Sequence, residues 1–148
     1  MLEWLQLSAL VSAGLFAGAA LYINVAEHPA RMRLDAAAAL RQWAPSYRRA
    51  TWMQAPLALV SCACGVAVWI ADAQATWLIA AVSIGAVVPF TFLAIMPTNH
   101  RLLAADLDPG SAECRALLAK WGVLHAVRTA LSLVATLTYG VLVYFAAR

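Results

Sequence analysis

Four long apolar runs separated by polar stretches organise the chain. They cover about residues 5–26, 53–71, 76–96 and 120–145, each near the ~20 residues a helix needs to cross a bilayer. The pattern predicts an all-α protein, a four-transmembrane-helix bundle forming one domain over residues 1–148. In the first run Gly14 and Gly18 stand beside Ala13, Ala17 and Ala20. Small residues let helices approach closely in lipid, so packing inside the bundle is the expected use, with a homo-oligomer seam as the second. The AGAA near residue 20 imitates a signal-peptidase site, but the segment before it has Glu3 and no basic residue. The run is therefore read as a retained helix.

The polar stretches differ in kind. After the first run come Asn24, Glu27, His28 and Pro29. From Ala30 to about Trp43, Met32, Leu34, Ala38, Leu40 and Trp43 alternate at helical spacing with Arg31, Arg33, Asp35 and Arg41. This predicts an interfacial amphipathic helix between spans 1 and 2, closed by Pro45, with Tyr47, Arg48, Arg49 and Trp52 marking the headgroup zone. Asp72 to Ala75 is a short turn. Pro89 lies inside the third run and predicts a kink. Thr98, Asn99, His100 and Arg101 follow that run, and a polar connection leads on to Lys120.

The fourth run is the least uniform. Trp121, His125, Arg128, Ser132 and Thr136 recur every three or four residues, which puts one polar stripe on an apolar helix. An ionisable residue inside such a helix is costly and is read first as functional. Four spans bring Asn24, Glu27, His28, Thr98, Asn99, His100, Trp121, His125 and Arg128 to one end of the bundle. Arg128 is expected to reach Glu27, Asn99 or both, since an unpaired buried charge costs several kcal/mol. The plainer readings are that Arg128 snorkels to the headgroups, that His28 caps a helix end and that His100 is solvated.

Composition supports the membrane class: 64% hydrophobic and 11% charged residues, with a mean hydropathy of +0.78, against roughly 25% charged in soluble domains. A net charge of +3 is too small to point to nucleic acid. The partners expected are the lipid bilayer and a hydrophobic small molecule. The two long connections hold Arg31, Arg33, Arg41, Arg48, Arg49, Arg101, Arg115 and Lys120, whereas Arg148 stands alone at the other side. The positive-inside rule then predicts cytoplasmic long connections and both termini outside. Cys62, Cys64 and Cys114 give no disulfide framework. His28, His100 and His125 match no tight metal-ligand spacing; haem or a metal on these three is the alternative kept open.

The stretches PFTFLAIMPTNHRL (Pro89 to Leu102) and KWGVLHAVRT (Lys120 to Thr129) resemble the anthrone-oxygenase-like family of small four-helix membrane proteins. GLFAGAALYINVAEHPAR and RQWAPSYRRA resemble its bacterial branch, which implies a bacterial inner membrane location. The resemblance implies O2-dependent oxidation of an anthrone- or quinone-like phenol without metal or organic cofactor. It implicates Asn99, Trp121 and Arg128, with His125 in the same motif, where pathway members commonly carry Asn. On that reading His125 or Glu27 is the base and Arg128 and Asn99 hold the oxyanion. Trp121 lines the slot, and Asn24, His28 and Thr98 are further substrate-binding candidates. A non-enzymatic bundle component is the third class.

Overall fold

A computed structural model describes residues 1–146. It contains four long helices: α1 (Leu2–Arg31), α2 (Ala36–Asp72), α3 (Ala75–Leu102) and α4 (Ala112–Ala146), each long and apolar enough to cross a membrane. The all-α four-span expectation holds. Arg148, used in the charge argument, lies outside the described residues.

The helices form a square. Each packs mainly on two neighbours, α1 and α3 each against α2 and α4. Alanines Ala9, Ala13, Ala17 and Ala20 bury the inner face of α1. The glycines do less than expected: a Cβ on Gly14 would only touch Thr136, and one on Gly18 would meet nothing. Leu93, Ile70, Val123 and Leu137 point outward and are more than two-thirds exposed. Large apolar side chains on all outer faces suit a lipid surround rather than water.

The connections are fixed locally. Asp35 accepts from the Ala38 amide at 2.8 Å and so caps α2. Arg115 donates to the carbonyls of Met32 and Leu34 at 2.8 and 2.7 Å, tying down the α1–α2 connection. Arg101 pairs with both Asp106 and Glu113 and does the same for the α3–α4 connection. At the far end Ala73 turns the chain with a left-handed φ of 54°.

Two differences from the sequence reading matter for the site. The amphipathic stretch Ala30–Trp43 is no separate element: Ala30 and Arg31 end α1, Met32–Asp35 form the connection, and the rest is the first part of α2, which runs through Pro45 and Pro56. Its apolar face packs on protein, because Ala39 and Trp43 are fully buried against Leu102, Leu118 and Trp121. That packing outweighs the backbone hydrogen bond lost at Pro45, a cost of about 3 kcal/mol in a helix interior.

Pro29 does not end α1 either. The five residues before His28–Pro29, Ile23–Glu27, form a π turn in which the His28 amide bonds the Ile23 carbonyl. The same device, Thr91–Ile95, precedes Met96–Pro97 in α3. Widening the ladder to i→i+5 makes room for a ring that cannot donate. At Pro89 the α-helical ladder is interrupted, with α3 passing from Ala75–Gly85 to Val87–Phe90 through Ala86.

Candidate active site

Asn24 sits in the π turn of α1 and faces α4. Its Nδ2 donates to the Gly122 carbonyl at 3.1 Å, which turns Oδ1 toward α4. That oxygen accepts from Thr129 Oγ1 at 2.6 Å and lies 2.9 Å from His125 Nδ1. An amide oxygen cannot donate, so Nδ1 carries the proton. In the neutral ring Nε2 is then the basic nitrogen. His125 is 1% exposed and stacks on Trp121 at 4.8 Å between ring centroids.

One turn deeper, Arg128 departs from expectation. It reaches neither Glu27 nor Asn99, and among the described residues no carboxylate pairs with it. Its Nη2 donates to Gln54 Oε1 at 2.9 Å, and its guanidinium lies 5.3 Å from the centroid of the Phe16 ring. Arg128 Nε and Gln54 Nε2 are both buried without a hydrogen-bond partner. Buried donors are normally satisfied; here two lie on one linked pair of side chains. Arg128 therefore turns inward to Gln54 and does not snorkel.

Glu27 is bound elsewhere because its side of the π turn faces α2. Its Oε1 accepts from Arg31 Nη2, from Ser46 Oγ at 2.5 Å and from Gln42 Nε2 at 3.2 Å. Arg31 is 3% exposed, also donates to Gln42, and lies 5.6 Å from the Trp121 ring centroid. The four polar side chains fasten the end of α1 to α2. His28 is buried rather than capping a helix: its Nδ1 is 3.3 Å from Arg31 Nη1, and its ring packs 5.4 Å from Trp121 and against Gly122.

The remaining candidates divide. Asn99 is fully buried and donates to Met96 Sδ at 3.7 Å, a sulfur that also accepts from Tyr47 Oη at 3.5 Å. Asn99 Oδ1, Thr98 Oγ1 and Trp121 Nε1 are buried without partners. His100 is exposed and stands apart from His28 and His125. The expected convergence of three histidines is not formed, because residue 100 lies on the outer face of the last turn of α3. Among the described residues no group of three His, Cys, Asp or Glu side chains is placed to hold a metal ion.

Three spaces surround this constellation. The innermost, lined by Tyr47, Gln54, Trp121, His125 and Arg128, has about 10 Å³, room for one water-sized molecule. A groove of about 530 Å³ runs between α1 and α2 past Tyr22, Glu27, Ser46 and Gln54. A niche of about 170 Å³ lies between α2 and α3, walled by Phe16, Tyr47, Phe92 and Met96, with Arg128 as its only charged residue. Gln54, Tyr47 and Arg31 are the residues the sequence reading undervalued. Gln54 stands alone in an apolar run, and Arg31 lies four residues after Glu27 on one helix; both were available signals.

Four apolar helices enclosing a half-buried arginine, paired with no carboxylate among the described residues, beside an oriented histidine define a membrane-type bundle with an internal polar site. The sequence model of the anthrone oxygenase family matches residues 43–138, more than half of the chain, and the chain belongs to that family. Relatives include the anthrone oxygenase tpcL of Aspergillus fumigatus, 46% identical over 55 residues covering 35% of this chain and 34% of the relative. The anthrone oxygenase nsrD of Aspergillus novofumigatus is 32% identical over 101 residues, 61% of each chain. An anthrone oxygenase of Claviceps purpurea is 38% identical over 56 residues, 32% of each. The aligned parts thus cover less than two thirds of these relatives' lengths. No solved structure matches.

Proposed function

We propose that this protein is a membrane-embedded oxygenase that oxidises an anthrone-like hydrophobic phenol to a quinone with O2, using protein side chains alone. The observation that carries the reading is the pairing of a histidine whose Nδ1–H is fixed by Asn24 with an arginine that no carboxylate pairs among the described residues. The names of the family and of its relatives supply the substrate class.

The chemistry balances with O2 as sole oxidant. His125 Nε2 removes a proton from the methylene opposite the substrate carbonyl. The electron pair spreads onto the carbonyl oxygen, where Arg128 and the free amide N–H of Gln54 stabilise it; such preorganised donors are commonly the largest catalytic term. The enolate carbon passes its electrons to O2 and forms a C–O bond, and the peroxide takes the proton held by His125. Loss of the second methylene proton with cleavage of the O–O bond releases water and leaves the new carbonyl. Anthrone and O2 thereby give anthraquinone and water. Asn24 holds the imidazole in its working tautomer. Thr98, Asn99, Trp121 and His28 support the wall beside the site, and the Glu27–Arg31 pair closes the end of the bundle.

The basic connections support an orientation with this end of the bundle toward the cytoplasm and both termini outside, in a bacterial inner membrane. The test of the function is O2 uptake by detergent-purified protein given anthrone under air. Wild type should form quinone well above the uncatalysed rate, and His125→Ala should lose that excess; equal rates in the two proteins would overturn the base assignment.

A further inference from the structure

The two halves of the chain repeat each other. Shifting α1 by 68 positions onto α3 lays buried Ala9, Ser12, Ala13 and Phe16 on buried Trp77, Ala80, Ala81 and Ile84. The same shift lays the π turn Ile23–Glu27 on Thr91–Ile95, Pro29 on Pro97, and buried Arg31 on buried Asn99. Shifting α2 by 78 positions lays Trp43 on Trp121, Tyr47 on His125, Thr51 on Thr129 and buried Gln54 on buried Ser132. Each tryptophan stacks on the ring four residues later, at 5.1 Å in α2 and 4.8 Å in α4.

Contacts across the bundle obey the same register. Trp43 meets Trp121 edge to face at 6.0 Å. Tyr139 Oη donates to the Ser61 carbonyl at 3.3 Å, and Cys114 Sγ lies 3.9 Å from the Ala36 carbonyl, both across 78 positions. Residues meeting their own counterparts are the mark of a two-fold axis, here running along the bundle between two parallel helix pairs.

The repeat gives every site residue a counterpart, and the two sets differ in chemistry. Asn24, His125 and Thr129 are joined by hydrogen bonds. Their counterparts are Phe92, Tyr47 and Thr51, and all three line the niche between α2 and α3. Where one half is filled by a polar triad, the other is left open and apolar. Arg128 has Ala50 as its counterpart, so the niche receives one cation, from the opposite half.

We infer that the duplicated bundle divides the work between its halves: the α1–α4 side holds the base, and the α2–α3 niche binds the flat aromatic body of the substrate beside Arg128. This rests on the function proposed above. An apolar wall with one cation matches a ligand that is a hydrocarbon ring system bearing one oxyanion. The niche also opens sideways, since Phe92 is 65% exposed and Ala55 and Thr51 lie on the outer surface. A hydrophobic phenol dissolved in the bilayer reaches it without crossing water.

The test fills the niche from its outer lip, where added bulk leaves the core untouched. Ala55→Trp is compared with Leu59→Trp, one turn along the same helix and outside the niche. Binding of anthrone is read under argon by quenching of protein fluorescence, and turnover is read separately under air. Ala55→Trp should weaken binding and raise KM by about tenfold or more with kcat at saturation largely kept, the signature of lost uniform binding; Leu59→Trp should match wild type. Wild-type and Ala55→Trp proteins that bind and turn over alike would overturn the division of labour while leaving the oxygenase reading intact. Wild type that binds anthrone under argon, loses it in Ala55→Trp, and yet consumes no O2 would support the niche and overturn the oxygenase. Wild type that does not bind anthrone overturns both.

Discussion

Asn24 and His125, one hundred and one positions apart, meet at 2.9 Å with the amide oxygen against Nδ1. The contact is directional because Gly122 and Thr129 fix the amide's orientation from the other side. Removing it should not remove the imidazole but should free its tautomer and rotation. Asn24→Ala is expected to lower kcat by about 10- to 100-fold, a range typical of lost orienting partners, with little change in KM. Steady-state kinetics on the purified variant checks this split.

Arg128 and Gln54 form one functional unit, with a donor–acceptor contact of 2.9 Å. Arg128→Gln should cost about 10²–10³ in kcat, the scale for removing an oxyanion donor. Gln54→Leu removes the acceptor as well as the free amide, so its effect should not add to that of Arg128→Gln. A double-mutant cycle on kcat/KM is expected to show coupling of roughly 0.5–3 kcal/mol.

Glu27 and Arg31 should matter for folding more than for turnover. Replacing Arg31, 3% exposed, by Leu leaves Glu27 without its cation and loosens the end of α1 from α2. Loss of one partner of a buried pair costs about 3–5 kcal/mol, and Glu27's partial exposure puts this case at or below the low end. Thermal unfolding in detergent should show a clear fall for Arg31→Leu, with Glu27→Gln in the same background recovering part of it.

Gly122 is required by the buried His28 ring: a Cβ there would overlap Nε2 and Cδ2 of that ring. Gly122→Ala should destabilise the protein by about 1–3 kcal/mol, the usual range for overpacking. The double variant Gly122→Ala/His28→Ala should regain much of that loss, measured by the same unfolding assay.

The span count and the polar end of the bundle were legible because both rest on strong one-dimensional signals. Long apolar runs give helices of bilayer length, and rare polar residues inside them stand out. His125 and Arg128 stand out this way. Their partners do not, because partner choice depends on rotation about each helix. The π turn at Ile23–Glu27 sends Glu27 toward α2 and Asn24 toward α4, and no periodicity argument built on 3.6 residues per turn yields that. The first part of α2 differs from the sequence expectation for a related reason: an amphipathic face looks the same whether lipid or Trp121 covers it. The internal repeat is faint in the sequence because its two helix pairs need different offsets, and its matched positions share burial more than residue type.

The most direct test of the account is simultaneous measurement of O2 consumption and quinone formation by the purified wild type and His125→Ala proteins with anthrone. The account predicts one O2 consumed per quinone formed by wild type, and loss of the protein-dependent rate in His125→Ala with anthrone binding retained. Full turnover in His125→Ala, or no O2 uptake by wild type above the uncatalysed rate, would contradict it.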